Sequence, residues 1–163
     1  MADAAEIERK FWTELRSSPF MMIGLDGIDD GRSQPMTAFF EGNHDPLWFF
    51  TSNDSGLASH IASNSGNHQA IASFTASGHD LFASLHGTLE IERDTSIIDR
   101  FWNAKVAEWY AGGRDDPKLV LLRLDADQAR IWLGASRFTA PIRRLFGKSP
   151  RKGYSDDIAE VLL

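Results

Sequence analysis

Hydroxyl groups gather where an aromatic run ends, at Thr51-Ser52-Asn53-Asp54-Ser55. If a helix starts at Asp54 or Ser55, its first amides are free and its dipole favours negative charge. A phosphate could dock there without a full cationic clamp. The same hydroxyls serve equally well as an ordinary helix cap. Two other segments carry polar groups on strand-like sequence. One is Gln34-Pro35-Met36-Thr37; the other is Ser84-Leu85-His86-Gly87.

Other chemistries lack their residues. There is no GxxxxGK[ST] phosphate loop, no GxGxxG, no GxSxG elbow and no HExxH. His44, His60, His68, His79 and His86 show no tight metal-ligand spacing, so surface or structural roles are expected of them. With no cysteine, a disulfide framework or Cys-ligated metal is impossible, and a reducing compartment, the cytoplasm, is expected.

Charge is uneven along the chain. From Ser33 to Glu92 there is no Lys or Arg, whereas Arg137 to Lys152 holds six basic and no acidic residues. An anion bound by the middle of the chain must therefore rely on amides, hydroxyls, histidines or a remote cation. The net charge of −6 argues against a general nucleic-acid binder. No run approaches the roughly 18 apolar residues of a membrane span. The acidic N-terminus lacks an apolar signal core, so neither membrane nor secretory signal is expected.

These groups need a scaffold, and the pattern supplies one. Residues 3–17 read as an amphipathic helix with Ile7, Phe11 and Leu15 on one face, stopped by Ser17-Ser18-Pro19. Phe20–Leu25, Ser33–Phe40 and Leu47–Thr51 read as strands separated by Asp/Gly turns. A short helix to about Ser63 follows, then strands Gln69–Thr75 and Leu81–Glu92, the second with a bend at Gly87. Asp94–Tyr110 reads as one helix with an apolar stripe, and Trp102 and Trp109 on that stripe are expected in the core. Leu119–Leu124 and Ala129–Leu133 read as the last two strands, and a short helix is expected near Ile142–Phe146. Strands joined by short turns favour an antiparallel barrel over a parallel α/β sheet.

At this level of detail the chain resembles the bacterial general stress proteins of the pyridoxamine-phosphate-oxidase-like flavin-binding split barrels. The likeness runs from about Ile7 to Trp132. It is carried by Pro35-Met36-Thr37, Leu47-Trp48-Phe49-Phe50-Thr51, Ser55, Ser84 to Gly87 and Trp102, followed by Gly112-Gly113-Arg114-Asp115-Asp116-Pro117, Leu121-Leu122-Arg123 and Trp132. Each motif is weak alone; their order and spacing are more specific. The resemblance implies a mainly β (α+β) fold: a six-stranded antiparallel split β-barrel with flanking helices over residues 1–136. A basic tail, 137–163, would pack on or near it.

The resemblance also implies a homodimer with FMN, or FAD, in a cleft between two chains. Met36 and Thr37 would lie along the flavin ring. Phe50, Thr51 and Ser52 would present backbone groups to the ring and ribityl chain, and Ser55 would approach the phosphate. Ser84 and Trp132 are candidates for the cleft wall. The family usually has Arg where this chain has Gln34, and Lys or Arg just after the downstream Ser, where this chain has Gly56-Leu57. Both expected phosphate cations are missing; Arg32, His60 or the basic tail could replace them. The implied activity is that of a flavin-dependent oxidoreductase. The alternatives are a non-catalytic flavin-binding or storage protein, a dimer with a vestigial pocket, or a haem site on one of the histidines. The Trp48-Phe49-Phe50 run is expected to leave an apolar face for the second copy.

Overall fold

The computed structural model describes residues 3–134 and the strand Ile158–Leu162. The chain opens with α1, Ala4–Ser17. Asp3 caps it in a reciprocal box: its carboxylate accepts from the Glu6 amide at 2.8 Å, and the Glu6 carboxylate accepts from the Asp3 amide. The expected face of Ile7, Phe11 and Leu15 is buried, joined by Trp12.

Then come β1 (Phe20–Leu25), β2 (Gln34–Thr37), β3 (Leu47–Ser52), α2 (Gly56–Ser63), β4 (His68–Thr75) and β5 (Leu81–Glu92). After them come α3 (Thr95–Phe101), α4 (Ala104–Ala107), a 3₁₀ turn at Gly113–Asp115, β6 (Leu119–Leu133) and β7 (Ile158–Leu162). Every pairing is antiparallel, and the six-strand path is β2-β1-β4-β5-β6-β3. A two-bond bridge between Phe39 and Trp48 links the ends of this path, so the sheet nearly closes. The fold is thus a six-stranded antiparallel split barrel flanked by helices. β7 pairs with β6 beyond the end of β3, through Gln128–Trp132. The inward residues of the barrel, with the apolar faces of α1 and α2, form one core.

Several elements differ from the sequence reading. β2 ends at Thr37, and only Phe39 of the expected extension pairs again. The two last strands are a single 15-residue β6. Its polar middle, Asp125-Ala126-Asp127-Gln128, resembles a turn in sequence but forms a bulge. Gly87 pairs with Ala126 and His86 with Gln128, leaving Asp127 as an extra residue. Gly87 is required there: a Cβ would lie 2.1 Å from the Asp125 carbonyl oxygen. The side chains of β6 that share the outer face of β5 change from odd to even numbers across this bulge.

The helix expected over 94–110 is broken. Trp102 is extended (φ −63°, ψ 131°). The Asn103 side chain then accepts from the amides of Lys105 and Val106, at 2.9 and 3.0 Å. An Asx cap competes directly with the helical ladder and starts a new helix in a new phase. The single stripe therefore dissolves: Val106 and Tyr110 are buried, but Trp109 is 82% exposed. The expected helix near Ile142–Phe146 lies outside the described residues.

Candidate functional site

β3 runs straight into α2, and this junction collects the hydroxyls. Ser55 is the N-cap of α2; its Oγ accepts from the Ala58 amide at 3.2 Å, and its carbonyl accepts from Ser59. The amides of Gly56 and Leu57 precede the first helical bond, as at any helix start. Thr51 is nearly buried, and its carbonyl accepts from the Tyr110 hydroxyl at 2.7 Å. Burial and then the Asp116 charge push the Tyr110 phenol up to about 12, so it stays a donor. Asn53 ties the junction to the segment before β6, its amides donating to the carbonyls of Lys118 and Pro117. The neighbouring Ser52 hydroxyl, and more weakly Lys118, hold the fully solvated Asp54 carboxyl below its ordinary value. A fixed anion therefore stands one residue before the cap.

Gly56 and Leu57, adjacent in sequence, have opposite surroundings. The Leu57 side chain is fully buried in the core. Gly56 lies against the Arg32 side chain instead: a Cβ there would be 3.3 Å from Arg32 Cδ and 3.7 Å from Nη1. Arg32 is exposed, in the β1–β2 loop. Its φ is +51°, and its amide donates to the Asp30 carboxylate at 3.1 Å. This loop brings the start of β2, two residues on at Gln34, to the start of α2. His60 lies in the last turn of α2, with its ring 5.9 Å from that of His68. It stands one turn beyond Gly56 on α2.

Alternation sorts the remaining candidates. Gln34 pairs with Ile23 and Met36 with Met21, whose side chains are buried, so both sit on the inner side of β2. Thr37 pairs with the exposed Phe20, on the outer side. Ser84 and Trp132 share that outer side: Met22, Ser73, Ser84 and Arg130 form one row across β1, β4, β5 and β6. Thr75, Phe82 and Trp132 form the next row.

This outer face carries the apolar surface that sequence reading missed. Phe20 is 61% exposed, Met22 44% and Phe82 39%. The signal was present in Phe20-Met21-Met22-Ile23, which is apolar on both faces of its strand. The expected source of such a face, Trp48-Phe49-Phe50, is covered. Trp48 and Phe49 are buried, and Phe50 packs edge-on against Phe39 and Trp102.

One chain does not unite all the candidates. Thr51 pairs with Val120, whereas Ser84 pairs with Arg130 and Trp132 lies further along β6. Ten residues and a bulge lie between the two pairings along β6. The junction group (Phe50, Thr51, Ser52, Ser55) and the outer-face pair (Ser84, Trp132) are therefore set at different stretches of β6. Among the described residues, no group of three or more His, Asp or Glu is placed to hold a metal. No helix among them is long and apolar enough to cross a membrane.

Comparison with known proteins gives a consistent picture. Residues 6–147 match the family described as pyridoxamine 5'-phosphate oxidase like. A crystal structure of a general stress family protein from Xanthomonas campestris pv. campestris is similar at 52% identity and a TM-score of 0.74. It covers 83% of this chain and 92% of that one. The general stress FMN/FAD binding protein of Xanthomonas citri is similar at 50% identity and a TM-score of 0.73, covering 81% and 92%. General stress protein 26 of Bacillus subtilis (strain 168) is 24% identical over 102 residues, 61% of this chain and 72% of that protein.

Proposed function

Because the chain belongs to the pyridoxamine 5'-phosphate oxidase like family, we propose that it binds a flavin nucleotide, FMN, as a homodimer and works as a flavin-dependent oxidoreductase. The observation that carries this reading is the β3–α2 junction. The amides of Gly56 and Leu57, without a partner among the described residues, and the Ser55 hydroxyl meet at one helix start, a place suited in character to a phosphate. The relative from Xanthomonas citri, a general stress FMN/FAD binding protein, supports the same ligand class.

In this reading the Ser55 junction takes the phosphate, and the β3 backbone at Phe50–Ser52 meets the ribityl chain and ring edge. The β2 backbone at Met36-Thr37 lies along the ring, with the Met36 side chain turned into the core and Thr37 outward. The exposed face of Phe20, Met22 and Phe82 is covered by a second copy, which brings its own Ser84 and Trp132 to the cleft. That arrangement answers the separation found within one chain. The flavin supplies the redox chemistry; the protein binds, orients and shields it. Asp54, held as an anion, and Tyr110, pushed up to about 12, do not exchange protons near neutral pH. These two groups therefore contribute binding and shape rather than acid–base catalysis, which also suits a flavin carrier without turnover.

The test is the absorption spectrum of the freshly purified chain, followed by titration with FMN and FAD watched by flavin fluorescence. Saturable quenching is expected. No change at high micromolar flavin would refute the reading and leave a vestigial pocket. Steady-state NAD(P)H oxidation with added FMN then separates oxidoreductase from carrier.

A further inference from the structure

We infer that Arg32 supplies the cation for the flavin's phosphate, in place of the basic residues expected at Gln34 and at Gly56-Leu57; this rests on the flavin reading above. The junction needs a cation. A phosphate monoester brings nearly two negative charges at neutral pH, and Asp54 already stands beside the helix start as an anion. Lys118 offsets part of the Asp54 charge, and helix amides and hydroxyls must hold the phosphate.

Three cations were available from sequence, and the geometry distinguishes two of them. His60 is one turn on from Gly56, with its ring packed against His68. The basic stretch of the tail, Arg137 to Lys152, lies outside the described residues. Arg32 is at the right end: its side chain crosses the first residue of α2, with Nη1 3.7 Å from where a Gly56 Cβ would be. Among the described residues no carboxylate forms an ion pair with its guanidinium. Lys118, the other cation noted here, acts on Asp54.

Two features make this placement specific. Arg32 holds a left-handed backbone, φ +51°, which a non-glycine residue adopts at some cost. The Asp30 carboxylate steadies that conformation through the Arg32 amide. In addition, Gly56 has no side chain where the resemblance leads one to expect a basic one, and the Arg32 stem occupies that space. The charge is thus moved from the helix itself to the loop that faces it. The fork of the guanidinium suits bidentate contact with phosphate oxygens.

The experiment compares wild type, Arg32→Gln and Arg32→Lys, each as the full chain, titrated with FMN and with riboflavin. Riboflavin lacks the phosphate and reports on the rest of the site. Arg32→Gln is expected to weaken FMN by at least about tenfold while riboflavin changes less than about twofold. Arg32→Lys should recover part of the loss, and the wild-type preference for FMN should shrink with added salt. Unchanged FMN affinity in Arg32→Gln, with wild type still binding, overturns the assignment and leaves the flavin reading intact. Equal loss of both ligands also overturns it, since Arg32 would then be holding the loop. If wild type binds neither ligand, the flavin reading falls, and the assignment with it. If Arg143→Ala with Arg144→Ala removes the FMN preference and Arg32→Gln does not, the cation comes from the tail and the assignment is wrong.

Discussion

Positions 56 and 57 are where the family resemblance would put a phosphate cation, and the structure says that only the first can carry one. Leu57→Lys replaces a fully buried core side chain. Losing the Leu transfer term costs about 2 kcal/mol. The ammonium must then be neutralised or hydrated; lowering a lysine from its ordinary 10.4 to below 7 costs about 4–5 kcal/mol. The sum, roughly 6 kcal/mol, is a large share of the ~5–15 kcal/mol that holds a domain together. For a chain of this size it should lower Tm by on the order of 10–20 °C, read by circular dichroism.

The pH dependence has a definite sign. A buried lysine has a depressed folded pKa, so the unfolded chain binds the extra proton between the two values. The deficit relative to wild type is therefore full at and below the folded pKa and shrinks as pH rises toward the unfolded pKa. Gly56→Lys is the control. Its Cβ meets the flexible Arg32 stem first. Its helix-propensity gain of about 0.5–1 kcal/mol roughly offsets the dipole penalty of a cation at a helix start. Its Tm should stay within about 3 °C of wild type. A Leu57→Lys protein that melts with wild type, or whose deficit ignores pH, would refute the reasoning, because the lysine would be reaching water.

Gly87→Ala places a methyl against the β6 backbone and should cost about 3 kcal/mol, the upper part of the overpacking range, seen as a lower urea midpoint; an unchanged midpoint would mean the bulge yields freely. Phe20→Asp with Phe82→Asp should convert a dimer to a monomer-sized species in light scattering, and a dimer that survives both changes must use another face. In Tyr154→Phe, Tyr110 is the sole tyrosine, and its ultraviolet titration should have a midpoint near 12. Because this folded pKa is raised, the stability it contributes is present below about 10 and is lost as pH climbs from there toward 12. A titration centred near 10 would show the phenol open to solvent.

Much of the barrel was legible because its signals are local. α1 announced itself by apolar spacing and a stop at Pro19, and β1, β4 and β5 by short runs between turn residues. The hydroxyl-rich start of α2 was legible too, since Ser55 is an N-cap type followed by a free helix start. What escaped depends on contacts between distant residues. Asn103 interrupts a stripe that looks continuous until Trp102 turns toward Phe50 and Tyr110. Asp125–Gln128 reads as a turn until β5 is laid beside it. Arg32 is an ordinary loop residue in sequence; only the fold places it over Gly56.

The bulge at Asp127 has a consequence for how this fold can vary. β6 has, in effect, a reading frame: which of its residues belong to the outer surface is set by counting from that extra position. Remove Asp127 with the pairing kept and the ladder becomes regular: Ala129 and Ile131 stay inward opposite Leu85 and Ala83, and Arg130 and Trp132 stay outward opposite Ser84 and Phe82. Shorten the strand with the bulge kept, and the register beyond it slips by one, so that Ala129 and Ile131 turn outward. The bulge is thus the place where β6 can gain or lose a residue without exchanging its faces, provided the pairing beyond it holds.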